Sequence, residues 1–213
     1  VTRVKICGIQ NEFDRDCAVY AGADAVGFVV EIPRSCRCID RERARSLIEG
    51  LPPFVTSVIV TSPKSVKEAS DLACHTKADV IQVHETLSLE NLEELRLIIS
   101  QKIVSAMAVP LKSENEAFLL AKVADALLLD TFKDGKLGGS GQIHDWDVSA
   151  DLVQKLQVPV ILAGGLNPHN VAQAVEKVRP YAVDVASGVE TNGKKDCQKI
   201  DDFVRVVKSC FPR

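Results

Sequence analysis

The sequence predicts a closed (β/α)8 barrel, in which eight parallel strands are each followed by a helix packed on the outside. Three observations lead there. Short β-rich runs alternate with longer helical patterns along the whole chain. The strand runs are apolar throughout, without the alternation of a half-exposed sheet, as expected for parallel strands covered on both faces. The glycine-rich loops follow the sixth, seventh and eighth strands, and a barrel places its phosphate site in the loops after strands seven and eight. The rival arrangement, an open doubly wound sheet, often carries a G-x-G-x-x-G loop after its first strand. Here that loop reads Cys7-Gly8-Ile9-Gln10-Asn11. With 213 residues and no linker or low-complexity segment, the chain is read as one domain, residues 1–213, near the lower length limit for such a barrel.

The strands are expected at Val4–Cys7, Ala25–Val30, Val55–Val60, Val80–Val83, Ile103–Met107, Ala126–Leu129, Val158–Leu162 and Ala182–Ala186. The helices are expected at Glu12–Ala21, Arg41–Glu49, Ser65–His75, Leu89–Ile99, Glu114–Lys122, Ser149–Leu156, Pro168–Lys177 and Asp196–Lys208. The fourth helix shows the pattern best. Leu89, Leu92, Leu95 and Ile99 share one face, with Glu90, Glu93, Glu94 and Arg96 around them.

Composition narrows the function classes. Hydrophobic residues make up 46%, charged residues 26%, and the formal net charge is -3. There is no basic stripe of the kind nucleic-acid binding needs, and no run long enough to span a bilayer. The first residues already read as a strand, so no signal peptide is expected and the protein is placed in the cytoplasm. The seven cysteines are Cys7, Cys17, Cys36, Cys38, Cys74, Cys197 and Cys210. Their odd number and irregular spacing suggest reduced thiols rather than a disulfide framework. Cys36 and Cys38 form a C-x-C, but no second close pair completes a zinc set, so no metal is expected.

In a barrel the C-terminal strand ends converge on one face, where chemistry sits. Those positions hold Cys7, Arg34 or Arg37, Gln82 and His84, Asp130, Gly164 and Gly165, Asp184, and Ser187 with Gly188. Cys7 and Asp130, ending strands one and six, can face each other as an acid/base pair. Taken singly, Cys7 reads better as a buried apolar thiol, and Asp130 reads also as a turn or cap residue before Thr131. Gly164-Gly165-Leu166-Asn167-Pro168 is more specific. Two glycines let backbone N–H groups approach an anion, Asn167 suits an N-cap, and Pro168 suits the first helical turn. Ser187-Gly188 ends strand eight in the same manner, so the two loops together predict a phosphate site and a small phosphorylated substrate. The Gly138-Gly139-Ser140-Gly141 cluster reads as a substrate-contacting loop near Asp130.

In order along the chain, Val4-Lys5-Ile6-Cys7-Gly8-Ile9, Gly22-Ala23-Asp24-Ala25-Val26-Gly27-Phe28-Val29, Ile81-Gln82-Val83-His84, Leu128-Leu129-Asp130-Thr131 and Asp145-Trp146 resemble the phosphoribosylanthranilate isomerase family. So do Leu162 to Val171, Val183 to Glu190, and Gly193-Lys194-Lys195-Asp196. The resemblance spans nearly the whole chain. It implies an Amadori rearrangement in tryptophan biosynthesis, without cofactor, with Cys7 as general base and Asp130 as general acid. It also implies an arginine after strand two that binds the anthranilate carboxylate. Arg37 keeps the family's Ser-x-Arg spacing from Ser35, and Arg34 is its rival. Asp184 is implied as a contact to a sugar hydroxyl, and Gln82 and His84 are candidate substrate contacts. Ala186, Glu85 and Ser105 depart from the family pattern. The alternatives are another phosphosugar barrel enzyme, such as indole-glycerol phosphate synthase, which would want a strand-end lysine, and a non-catalytic phosphate-binding barrel.

Overall fold

A computed structural model describes residues 1–84, 87–110, 113–133, 136–137 and 143–210. Eight parallel strands form the barrel: β1 (Arg3–Cys7), β2 (Ala25–Val30), β3 (Thr56–Thr61), β4 (Val80–His84), β5 (Lys102–Val109), β6 (Ala126–Lys133), β7 (Val160–Leu162) and β8 (Ala182–Val185). Each pairs with the next in parallel, and β8 pairs with β1 through Arg3↔Ala182 to Ile6↔Val185, which closes the ring. The helices are α1 (Glu12–Tyr20), α2 (Arg41–Glu49), α3 (Val66–Thr76), α4 (Leu89–Ile98), α5 (Glu114–Leu120), α6 (Trp146–Lys155), α7 (Val171–Val178) and α8 (Cys197–Ser209). The expected (β/α)8 architecture is the observed one. No helix among the described residues is long and apolar enough to cross a membrane.

The uniform apolarity of the strands has two uses. Val4, Ile6, Val183, Val185, Leu127 and Leu129 face outward into the main core, against residues such as Leu47, Leu72, Leu95, Val175 and Phe203 on the helices. Their neighbours point inward. Val104, Ala106, Ala126, Leu128, Ile161, Ala163 and Ala182 fill one part of the interior, and Cys7, Val29, Val58 and Val60 another. Burying a large aliphatic or Phe side chain stabilises by roughly 1.5–3 kcal/mol, so both layers matter.

Two helix starts differ from the sequence reading by three residues, and those of α3 and α8 by one. α6 begins at Trp146, three residues earlier than expected, because the Asp145 side chain accepts from Asp147 N and starts the helix there. α7 begins at Val171, later than expected, and Asn167 is not its N-cap. Asn167 is used in a turn instead. Its Oδ1 accepts from His169 N at 2.9 Å, and its carbonyl accepts from Asn170 N and Val171 N. The other seven helices each carry a capping side chain: Asn11, Asp40, Ser65, Ser88, Ser113, Asp145 and Asp196.

The expectation that the cysteines are all reduced is corrected. Cys17 on α1 and Cys197 at the start of α8 form a disulfide, with Cα atoms 5.4 Å apart. The first and last helices lie side by side because the barrel closes, and this brings together residues separated by 180 positions. Spacing along the chain carried no sign of it. In the chain-entropy picture a cross-link of that span stabilises by up to about 5 kcal/mol.

A device at the N-terminal face recurs on alternate strands. Asp24, Asp79 and Asp125 each stand immediately before an even strand, and each accepts the backbone N–H of an odd neighbour. Asp24 holds Val4 N at 2.7 Å, Asp79 holds Ser57 N at 2.8 Å, and Asp125 holds Ile103 N at 2.9 Å. Ala23, Ala78 and Ala124 precede them, so the motif is a threefold Ala-Asp. These carboxylates fix the stagger between neighbouring strands, and thereby the level at which each strand meets the opposite, C-terminal face of the barrel.

Two outcomes are expected. Thiol titration in denaturant should find five groups before reduction and seven after it, and seven at the outset would remove the Cys17–Cys197 bond. Asp79→Ala leaves the Ser57 N–H and the Ser57 hydroxyl proton without their acceptor, so it should lower unfolding free energy by about 2 kcal/mol. A chemical-denaturation midpoint equal to wild type would show that the clamp contributes nothing.

Candidate active site

On β1 the alternate residues Lys5 and Cys7 enter the barrel. The same alternation brings in Asp184 from β8, opposite Lys5 in the register. Lys5 Nζ lies 3.0 Å from Asp184 Oδ1, and the two side chains are 4% and 10% exposed. Burial disfavours the ammonium, but Asp184 and Cys7 outweigh it, and Lys5 is held above its ordinary value. A Cβ at Gly27 would stand 2.9 Å from Cys7 Sγ and 3.0 Å from Lys5 Cε. Only glycine on β2 leaves the notch in which the thiol and the lysine stem sit together. Burial pushes the Cys7 thiol up; Lys5 and Lys195 oppose that, while Asp184 reinforces it.

Across the mouth stands Asp130. β6 runs on past it to Lys133, although the sequence reading ended the strand at Leu129. Its Oδ1 accepts from Thr131 N at 2.7 Å. Burial pushes the carboxyl up to about 7; the Thr131 N–H and Lys5 oppose this, and the Asp184 charge adds to it. The Lys5–Asp184 pair therefore acts electrostatically on both Cys7 and Asp130. Thr131 is fixed in turn. Its Oγ1 is 3.1 Å from His144 Nδ1, and His144 Nε2 is 2.7 Å from Ser149 Oγ. Burial holds His144 down at about 4, so the ring is neutral near pH 7.

Arg37 and Arg34 go to different places. The Arg37 stem crosses Gly8, whose φ of +81 and missing Cβ make room: a Cβ there would stand 2.5 Å from Arg37 Cδ. Ser35 Oγ accepts from Arg37 N at 3.2 Å, so the serine of the Ser-x-Arg pattern shapes the loop. Arg34 is exposed, and its charge acts on His84. Gln82 is buried inside the barrel. Its Nε2 lies 2.9 Å from His84 Nε2, so it braces His84. His84 is pushed down to about 4 by burial, helped by the Lys5 and Arg34 charges, and is neutral.

The loops after β7 and β8 are locked together by their glycines. Gly164 and Gly165 have φ of +85 and +66, and their backbone N–H groups find no acceptor among the described residues. A Cβ at Gly188 would lie 1.8 Å from the Leu166 carbonyl oxygen, so Ser187-Gly188 can approach the β7 loop only without a side chain at 188. α7 has no side-chain cap, because Asn170 is turned back onto Gly165 O at 2.9 Å and Asn167 N at 2.8 Å. Unpaired N–H groups at the mouth of a barrel make a natural cradle for an anion. The Gly138 to Gly141 cluster lies outside the described residues.

A family model described as N-(5'phosphoribosyl)anthranilate (PRA) isomerase matches residues 4–206. A relative named N-(5'-phosphoribosyl)anthranilate isomerase, from Methanothrix thermoacetophila, is 50% identical over 99% of this chain and 100% of its own length. The phosphoribosyl anthranilate isomerase structure from Thermotoga maritima superposes with a TM-score of 0.84 at 36% identity, covering 98% of this chain and 99% of that one. A second such structure, solved in complex with reduced 1-(o-carboxyphenylamino)-1-deoxyribulose 5-phosphate, gives 0.81 at 35% identity, with coverage of 98% and 99%.

The chain belongs to the N-(5'-phosphoribosyl)anthranilate isomerase family.

For an N-(5'-phosphoribosyl)anthranilate isomerase family member, the mouth contains three residues that sequence reasoning did not single out: His144, Glu190 and Lys195. His144 had a faint signal, since it directly precedes the Asp145-Trp146 helix start. Glu190 and Lys195 sit on a two-residue hairpin, Glu190↔Lys195 and Thr191↔Lys194, after β8. Both were quoted as family pattern, but nothing in their spacing shows what they touch.

The packing around Asp130 gives a sharp expectation. A Cβ at Gly164 would stand 2.2 Å from Thr131 Oγ1, 2.7 Å from Thr131 N and 3.0 Å from Asp130 Oδ1, at a φ that side chains resist. Gly164→Ala should therefore displace Asp130 and lower kcat by at least about tenfold, one order of magnitude being what about 1.4 kcal/mol of lost transition-state stabilisation costs. A variant with wild-type kcat would show that this contact does not hold the carboxyl in place.

Proposed function

We propose that this chain catalyses the Amadori rearrangement of N-(5'-phosphoribosyl)anthranilate to 1-(2-carboxyphenylamino)-1-deoxyribulose 5-phosphate in tryptophan biosynthesis. It is an aldose–ketose isomerisation, run by a single domain, residues 1–213, in the cytoplasm. The observation that carries the reading is the pairing of a buried thiol beside a lysine, Cys7 with Lys5, with a carboxyl raised to about 7, Asp130. The same buried ion pair acts on both.

The chemistry follows from those groups. Asp130, protonated, gives its proton to the ribose ring oxygen as the C1–O bond breaks. The nitrogen lone pair forms the C1=N bond of a protonated imine. The C2–H bond is then acidic, because its electrons can flow to that nitrogen. The Cys7 thiolate takes the proton, the C1=C2 bond forms, and the imine electrons return to nitrogen. The resulting enolamine gains a proton at C1 and loses one from the C2 hydroxyl to give the ketose. The substrate nitrogen is the electron sink, so no cofactor enters. Arg37 holds the ring carboxylate; Arg34 is exposed, and its charge reaches His84. The N–H groups of Gly164, Gly165, Ser187 and Gly188 hold the phosphate. Asp184, committed to Lys5, poises the acid and the base and is within the sugar's side of the mouth. His84, braced by Gln82, is the neutral wall group facing the substrate.

The test is turnover of freshly made phosphoribosylanthranilate, followed by loss of its fluorescence. Wild type should turn over, and Cys7→Ala and Asp130→Asn should each lose at least about a hundredfold in kcat, the lower range for a lost acid or base. The active form carries a thiolate and a protonated carboxyl. kcat/KM should therefore fall below an apparent pKa of about 7 and again above the ordinary thiol value, in the direction of the Cys7 shift. These two limbs are macroscopic values of the pair. A non-catalytic phosphate-binding barrel would give no turnover in wild type. A profile flat between pH 5 and 9, or near-normal rates in either variant, would sink the acid/base assignment.

A further inference from the structure

Arg37 is not a free guanidinium. Its Nε donates to Glu190 Oε1 at 2.7 Å and its Nη2 to Glu190 Oε2 at 2.7 Å. Glu190 Oε1 also accepts from Lys195 Nζ at 2.7 Å, and Lys195 gives a second bond, of 2.9 Å, to Ala186 O. The glutamate and lysine side chains are 7% and 2% exposed, whereas Arg37 is 17% exposed. Burial alone would push the Glu190 carboxyl up, but Arg37 and Lys195 hold it below its ordinary value. Asp14 lies within electrostatic reach of Lys195 and Glu190, yet its carboxylate is turned to Asn11 Nδ2 at 2.9 Å.

A guanidinium presents two forks to planar anions. The side fork is Nε–H with one Nη2–H, and the end fork is Nη1–H with the other Nη2–H. Glu190 occupies the side fork. Nη1 makes no hydrogen bond among the described residues, so the end fork is left for a second carboxylate. Glu190 by itself would neutralise Arg37. Lys195 restores the balance: the hydrogen-bonded cluster holds two cations and one anion, and one positive charge remains for the ligand.

We propose that Glu190 and Lys195 are positioning residues for recognition of the substrate's ring carboxylate. Glu190 fixes the guanidinium of Arg37 with its end fork presented to the substrate, and Lys195 keeps the cluster cationic. The eighth-strand hairpin thus sets the specificity of a residue that belongs to the second loop. The inference rests on the proposed role of Arg37.

The experiment is calorimetric binding of two probes, which avoids any effect on the chemical step. One is reduced 1-(o-carboxyphenylamino)-1-deoxyribulose 5-phosphate, and the other is the same compound without the ring carboxylate. Arg37→Met and Glu190→Gln should each weaken the carboxylate probe by about tenfold or more, the scale of a lost charge-assisted fork. Both should leave the carboxylate-free probe within about threefold. Lys195→Met should give a smaller loss with the same dependence on the carboxylate, and it carries the test alone should Glu190→Gln fail to fold. If Arg37→Met is selective for the carboxylate but Glu190→Gln and Lys195→Met weaken both probes alike, the hairpin is merely structural and this inference falls while the role of Arg37 stands. If Arg37→Met itself shows no selectivity, the role of Arg37 and this inference fall together.

Discussion

The buried ion pair between Lys5 and Asp184, 3.0 Å apart inside the barrel, is the constraint around which the rest is arranged. Taking two charges out of water costs several kcal/mol per ion, which their attraction offsets only if the geometry is held closely. The fold holds it through strand register. Lys5 and Asp184 are direct neighbours across β1 and β8, and the β1 start is fixed by the Asp24 carboxylate. A slip of one residue would turn Lys5 out into the helix layer and bring Ile6 inward. The same parity that buries this pair also sends Cys7 to the mouth, one inward position further along the strand.

The ion pair and the burial act in the same sense on the thiol and the carboxyl: burial and the Asp184 charge push both up, and Lys5 pulls both down. Desolvation pushes both groups toward their neutral forms. That favours the proton on Asp130 and opposes the thiolate at Cys7. Lys5 works against the second effect at close range, and Asp184 keeps Lys5 charged without leaving the site. Near pH 7 the Cys7 thiol is therefore predominantly neutral in the absence of ligand. In the proposed reaction it is the substrate imine, positively charged once formed, that stabilises the thiolate at the step that needs it.

Much of the barrel was legible in the sequence because parallel strands buried on both faces leave a strong local mark, as in Val26 to Val30 and Val58 to Val60. The positions of Cys7, Asp130 and the Gly164-Gly165 loop at the strand ends were legible for a related reason: each stands at the end of such a run. What was not legible is what the closed ring brings together. Arg37 and Glu190 are 153 residues apart, and Cys17 and Cys197 are 180 apart. Nothing in local spacing distinguishes them from solvated charges or free thiols. The misreading of Asn167 has a different origin. The residue type does suit a cap, but the neighbouring Asn170 offers the same chemistry, and the chain spends both side chains on shaping the Gly165 loop.

The most direct measurement of the central claim is the titration of Cys7 itself in protein labelled with 13C at the cysteine β-carbon, the signal being assigned by its loss in Cys7→Ser. In wild type the thiol should titrate above its ordinary value, as its burial requires. Lys5→Met should move it higher still, because the Asp184 charge is then left beside the thiol uncompensated. Asp184→Asn should move it lower. Opposite shifts in the two variants are the expected result. Shifts in the same direction, or a Cys7 titration indifferent to both substitutions, would contradict the account.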